Sequence, residues 1–181
     1  FFFFVSLLWP GKNVEERRPA VNRVTPPAPK IVQNQKVVTD VNKQRNATER
    51  FAANGDGTVT DKTTNLMWAY TDNGKDVDWQ KAKQYCESFK GGGYPGWRMP
   101  TQNELAGLYD ADLPGYELNC LYAGIVKVPV QVTLSCFYLW SSDESGSIAS
   151  ITDMKDGKHY WIDKKGGFFR NFRVLPVRTT R

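Results

Sequence analysis

At 181 residues and 40% hydrophobic content, the chain suits one globular domain with an appendage. Its net charge of +5 is unevenly spread: residues 1–50 carry nine Lys or Arg against four acids, whereas residues 51–181 hold fifteen of each. A nucleic-acid-binding domain concentrates positive charge within its fold, so this distribution argues against that class.

Residues 1–9 (FFFFVSLLW) are uncharged and strongly apolar. A bilayer span takes about 20 residues, so they read as the end of a membrane anchor or signal segment, with a buried strand as the alternative. Residues 10–50 contain Pro10, Pro19, Pro26, Pro27 and Pro29, few large apolar groups and mixed charge. That composition predicts an extended, basic linker with at most a short strand at 37–41. A basic segment after an apolar one is either the cytoplasmic flank of an anchor or a solvated linker.

The globular domain is expected over residues 51–181. Asn54-Gly55-Asp56-Gly57 is hairpin-turn chemistry; residues 58–60 should return as a strand, Asp61-Lys62 begin the next turn, and residues 65–68 form a further strand. Read as a calcium loop, this run would place Ala52 first and Thr63 twelfth, where carboxylates are required, so it is not an EF-hand. Asp78 caps a predicted helix over 79–90, whose Trp79, Ala82, Cys86 and Phe89 form one apolar stripe. Asp72, Asp76 and Asp78 read as a solvated, helix-capping loop in preference to a cation site.

Residues 89–109 are the pivot of the chain. Gly91, Gly92, Gly93, Pro95 and Gly96 stop the helix, and Pro100 keeps Trp97-Arg98-Met99 extended. Thr101 and Glu104 have capping-box spacing, and Leu105, Leu108 and Tyr109 give a second helix its buried face. Trp97, Arg98 and Glu104 are therefore expected to be structural. Trp97 should be buried, and Arg98 should pair with a carboxylate or with backbone carbonyls.

Residues 110–115 read as loop, and 116–140 as β-rich chain in which Pro129 marks an edge, bulge or irregular crossing. A polar loop is expected at 141–146, a strand at 147–154, and a hairpin through Asp156-Gly157 into 158–162. After a turn at 164–167, residues 168–177 should close the sheet. Short strands with two early helices predict an α+β domain with a small, mainly antiparallel sheet.

WRMPTQNEL (97–105) resembles the WRLPTxxEL signature of the DUF1566 family, which includes the C-terminal domain of the Legionella collagen-like adhesin. FAANGDGTVTDKTTNLMW (51–68) resembles that family's opening hairpin, WQKAKQYC (79–86) its first helix and LWSS (139–142) its "yWSS" strand. The likeness spans about residues 50–178. It implies a C-type-lectin-like fold, usually exported, in a family better known for binding than for catalysis. Relatives often pair the helix cysteine with one in a C-terminal RCVR motif. Here Leu175-Pro176-Val177-Arg178 puts proline at that position, which leaves Cys86 as a buried free thiol. A disulfide between Cys120 and Cys136 is expected and would suit an oxidising compartment, while the odd cysteine count leaves intermolecular pairing open.

Catalytic constellations are missing from the sequence: there is no Ser-His-Asp set, zinc spacing or phosphate-binding glycine loop. The single histidine, His159, reads as structural or merely exposed. Formylglycine-generating enzymes share the broad fold but use a cysteine near the C-terminal end, and none follows Cys136. No enzymatic activity, cofactor or metal is expected.

Residues 155–181 hold eight basic groups against two acids, a net +6 that leaves residues 51–154 at −6. Lys155, Lys158, Lys164, Lys165, Arg170 and Arg173, with Ser141, Ser142 and Asp143, form the expected ligand face. Tyr160, Trp161, Phe168, Phe169 and Phe172 are interleaved with the bases and read mostly as core. The expectation is an exported, non-catalytic binding or adhesion module for anionic glycans. The alternative is a membrane-tethered accessory or structural subunit of a cell-envelope complex. Either reading places the domain outside the cytoplasm, with membrane association through the N-terminus, no nucleic acid, and homo-oligomerisation left open.

Overall fold

The computed structural model describes residues 32–166 and 171–180, which belong to one compact unit, Val32–Arg181. The apolar segment 1–9 and the five prolines at 10–29 lie outside the described residues, as do Phe168, Phe169 and Arg170. The described chain is α+β, mostly sheet with few helices.

Residues expected to extend the linker instead form a helix, α1 (Val32–Arg50). Neither proline nor glycine interrupts this stretch, and its Gln, Lys, Arg, Ala and Glu residues are good helix formers. Arg50 anchors its end, with Nε and Nη2 donating to the Asp61 carboxylate at 2.9 and 2.5 Å and Nη2 also to the Gly107 carbonyl at 3.0 Å.

Strands β1 (Phe51–Ala53), β2 (Thr58–Asp61) and β3 (Leu66–Ala69) follow as an antiparallel meander. Asp56 is spent on the first turn, where Oδ1 accepts from the Thr58 amide and hydroxyl. Helix α2 (Trp79–Ser88) is capped by Asp78, whose Oδ1 accepts from the Lys81 amide at 2.8 Å. Trp79, Ala82 and Cys86 of its stripe are buried. Of the preceding acids, Asp72 is not solvated: it is 6% exposed and accepts from the Ser135 amide and hydroxyl. Asp76 accepts from the amides of Asn171 and Phe172.

After a 3-10 turn at Gly91–Gly93, where Gly92 has φ 62°, the chain enters α3 (Gln102–Leu108). Any Cβ on Gly92 would stand 2.6 Å from the Tyr94 ring. Trp97 is 4% exposed and meets Phe89 edge-on at 4.9 Å. The Arg98 guanidinium forks onto Glu104 at 2.8 and 2.6 Å, and both halves of the Thr101–Glu104 capping box are formed.

The rest is β4 (Tyr116–Asn119), β5 (Ala123–Val126), β6 (Tyr138–Ser145), β7 (Ile148–Asp153), β8 (His159–Asp163), β9 (Phe172–Arg173) and β10 (Val177–Thr179). In place of one small sheet there are two of four strands, ordered β1-β2-β3-β10 and β8-β7-β6-β9, plus the β4–β5 hairpin. Pairing is antiparallel except between β6 and β9. The single closing strand expected at 168–177 breaks after Arg173: Val174 bonds Asn73, the Pro176 carbonyl accepts from the Ala69 amide of β3, and the two parts join different sheets.

The expected polar loop at 141–146 is also strand. β6 continues through Ser145 with a register shift between Trp140 and Glu144, and the turn narrows to Gly146-Ser147. Leu139 and Trp140 are both fully buried and point to opposite sides. Leu139 joins a core with Trp68, Leu105, Phe137 and Leu175, whereas Trp140 joins one with Trp79, Cys86, Ile151 and Phe172. The Cys120–Cys136 disulfide is present, and loop closure of this length stabilises by about 3 kcal/mol in the chain-entropy model. Cys86 is free and buried, and burial pushes its thiol pKa far up.

Trp97→Ala should cost about 3–5 kcal/mol in denaturant titrations, as large aromatic truncations in cores do. Trp97→Phe should cost less than half as much, because the indole Nε1 has no protein partner to lose. An unchanged stability for Trp97→Ala would refute the structural role.

Acid should act through the two Arg-bound carboxyls. Burial alone would raise the pKa of Glu104, but Arg98 and the Thr101 amide outweigh it and hold the group low. Burial is likewise outweighed at Asp61, by Arg50, Thr64 and the Thr63 amide. Both groups therefore bind protons less tightly in the fold than in the unfolded chain, where they titrate near about pH 4. Their stabilisation is complete above that value and disappears as pH falls through the native pKa. Thermal melts on the acid side should steepen accordingly, and Glu104→Gln should flatten the dependence.

Candidate functional site

The structure does not gather the expected basic face. Lys158 precedes β8 and Lys164 follows it, so six strand steps, about 20 Å, separate them. Lys155 is turned inward. Its ammonium lies 4.6, 4.1 and 5.2 Å from the ring centres of Tyr122, Phe137 and Tyr138, and donates to Tyr122 Oη at 2.7 Å and Asp153 Oδ2 at 2.9 Å. Burial opposes the charge, yet these partners raise the Lys155 pKa and lower that of Tyr122. Arg173 is 7% exposed and donates to Ser135 Oγ and the Phe172 carbonyl.

Lys158 is exposed and pairs with its neighbour Asp156 at 2.8 Å. Lys164 pairs with Glu144, donates to the Gly146 carbonyl and lies 4.7 Å from the Trp79 ring centre. Lys165 is exposed, and Arg170 lies outside the described residues. The opposed charges of the two segments are thus partly settled inside the domain, at Lys155–Asp153 and Lys164–Glu144.

The polar residues of β6 are equally committed. Ser141 is fully buried, and its carbonyl accepts from Trp79 Nε1 at 2.8 Å. Asp143 caps α3 from a distant strand, its Oδ2 accepting from the Gln102 amide at 2.6 Å. The Ser142 amide donates to the Pro100 carbonyl at 2.7 Å, and the residue is half-buried.

Ser142 instead belongs to a groove of about 230 Å³ between α2 and the chain entering α3. Trp79, Lys83, Glu87, Arg98, Met99 and Ser142 line it, with Thr101. Trp79 and Met99, both nearly fully buried, make an apolar floor. Lys83 lies 5.4 Å from the Trp79 ring centre, so two ammonium groups, from α2 and from the turn after β8, meet that ring. Arg98 is bound to Glu104 and Lys164 to Glu144, so Lys83 carries the groove's most accessible positive charge, one helical turn from Glu87. A small apolar floor rimmed by an ammonium, a guanidinium, a hydroxyl and the Glu87 carboxylate suits a polar ligand whose anionic group meets Lys83.

The sequence does not single out Lys83 and Glu87, because the periodicity of α2 marks its buried stripe and not its outer face. Lys83 stands four residues after Trp79, and that i, i+4 spacing was the available signal. Tyr160 and Trp161, read mostly as core, are instead 42% and 50% exposed. His159 is half-buried, with Nδ1 2.9 Å from Thr152 Oγ1, and burial lowers its pKa.

The family model for the Lcl C-terminal domain matches residues 57–178, and the chain belongs to that family. No curated protein matches the chain significantly.

Lys155→Met should lower stability on the order of 2 kcal/mol, since it removes a sheltered cation–π contact and leaves Asp153 without its ammonium. Adding Asp153→Asn should restore part of that loss in urea titrations. Normal stability with lost ligand retention would instead mark Lys155 as a ligand contact.

Proposed function

We propose that this member of the Lcl C-terminal domain family is an exported, non-catalytic binding and adhesion module whose α2 groove takes an anionic group of a glycan. The observation that carries this reading is Lys83, an exposed ammonium on the rim of a groove that also presents Arg98 and Ser142 over an aromatic floor. Family membership supports a surface role, and the Cys120–Cys136 disulfide fits an oxidising compartment. The proposed arrangement is C-type-lectin-like, with the paired sheets and α2 and α3 as its framework.

Among the described residues no helix is long and apolar enough to cross a membrane. Tethering through residues 1–9 belongs to the same proposal. A role as an accessory subunit of an envelope complex draws on one separate observation: Val37, Val38 and Val41 of α1 are 61%, 57% and 52% exposed. Such a stripe suits a protein partner.

Heparin chromatography of the 181-residue chain tests the glycan reading. Retention at low salt should fall steeply as salt rises, because exposed charges are screened over about 8 Å at physiological ionic strength. Lys83→Ala should weaken binding about fivefold, the scale of one exposed ion pair. Retention that is absent, or indifferent to Lys83→Ala, would sink the groove assignment.

A further inference from the structure

Among the described residues β8 is the outer strand of its sheet, with β7 on one side only. The Asp153 amide donates to the Lys158 carbonyl, and the Lys164 amide to the Ser147 carbonyl, each at 2.9 Å. The β7–β8 register is unbroken between these bonds. In an antiparallel ladder hydrogen-bonded and non-bonded pairs alternate, so even-numbered residues from 158 to 164 bond β7. The backbone groups of His159 and Trp161 and the Asp163 amide therefore face outward, whereas the Asp163 carbonyl accepts from the Gly166 amide at 2.8 Å in the turn that follows.

The strand HYWID is complementary to itself when reversed about Trp161. His159 then stands opposite Asp163, Tyr160 opposite Ile162, and Trp161 opposite its own copy. Side chains alternate between faces, so a Trp161 pair would be flanked by two His159–Asp163 pairs on one face. The other face would carry two Tyr160–Ile162 pairs, and such cross-strand aromatic–aliphatic pairs, like hydrogen-bonding pairs such as His159–Asp163, stabilise a ladder.

The usual protections of a sheet edge are weak here. No proline, lysine or bulge interrupts residues 159–163, and Tyr160 and Trp161 are among the exposed large hydrophobic residues. Lys158 and Lys164 would oppose each other, but each already carries a carboxylate, Asp156 and Glu144 respectively. Like-charge repulsion is thereby reduced. The opposite edge, β9, has only two residues.

We infer that β8 pairs antiparallel with β8 of a second copy of this chain, about a two-fold axis at Trp161, joining two four-stranded sheets across an isologous interface. The inference does not depend on the glycan reading, because β8 lies outside the groove's lining.

Register-specific cross-linking of the 181-residue chain tests it. Directly opposed, hydrogen-bonded residues have Cα atoms about 5.5 Å apart, within disulfide reach. Trp161→Cys should therefore form a covalent dimer on mild oxidation. The two copies of residue 159 would lie four strand steps apart, about 14 Å, so His159→Cys should not. Native cysteines add no background, since Cys86 is buried and the other two are paired. In sedimentation experiments the unaltered chain should associate reversibly, and Trp161→Lys should weaken association about tenfold or more while leaving the melting temperature unchanged. A chain that stays monomeric, equal cross-linking at both positions, or association indifferent to Trp161→Lys would each overturn the inference. Strand capture by an unrelated protein alone would appear as the first of these.

Discussion

The short corner from Trp97 to Gln102 is the constraint on which the other contacts depend. Arg98 exchanges both backbone hydrogen bonds with Val177, tying the corner to β10 in one sheet. Two residues later the Pro100 carbonyl accepts from Ser142 on β6 in the other sheet. The guanidinium and the capping box then orient α3, and Trp97 fills the space beneath. Backbone bonds to both sheets leave this segment little freedom, which is why its side chains serve architecture before they serve a ligand.

β6 has a comparable double duty. Buried on both sides, it separates the two cores through alternating Leu139 and Trp140, and its bulged continuation supports α3 through Asp143. A helix of seven residues has unsatisfied amides at its start. Here Thr101 and Asp143 satisfy them from two different parts of the chain. Polar residues that look like a binding loop in one dimension are thus consumed as caps and strand.

The same logic governs the bases. Lys155 is a positive charge held against three aromatic rings and a carboxylate, and Arg173 is buried against Ser135. Charges sheltered in this way need partners, and they cannot also be presented to solvent. What remains for recognition is set by what the fold leaves exposed: Lys83 on the outer side of α2, and the β8 edge with Tyr160 and Trp161.

Local chemistry was legible in the sequence. The Asp78 cap, the Thr101–Glu104 box and the glycine turn all span six residues or fewer, where side-chain reach and backbone sterics decide, whereas the sequence left open which carboxylate or carbonyl Arg98 would meet. The family likeness was legible too, through ordered motifs. Tertiary structure alone decided where the bases went. Lys164 meets Glu144 across 20 positions, Arg173 meets Ser135 across 38, and the Asn171 amide finds Asp76 across 95. It also sent the two sides of Pro176 into different sheets and turned residues 141–145 into strand. Composition and spacing carry no record of such pairings, because their geometry exists only once both sheets and α3 have closed around the corner.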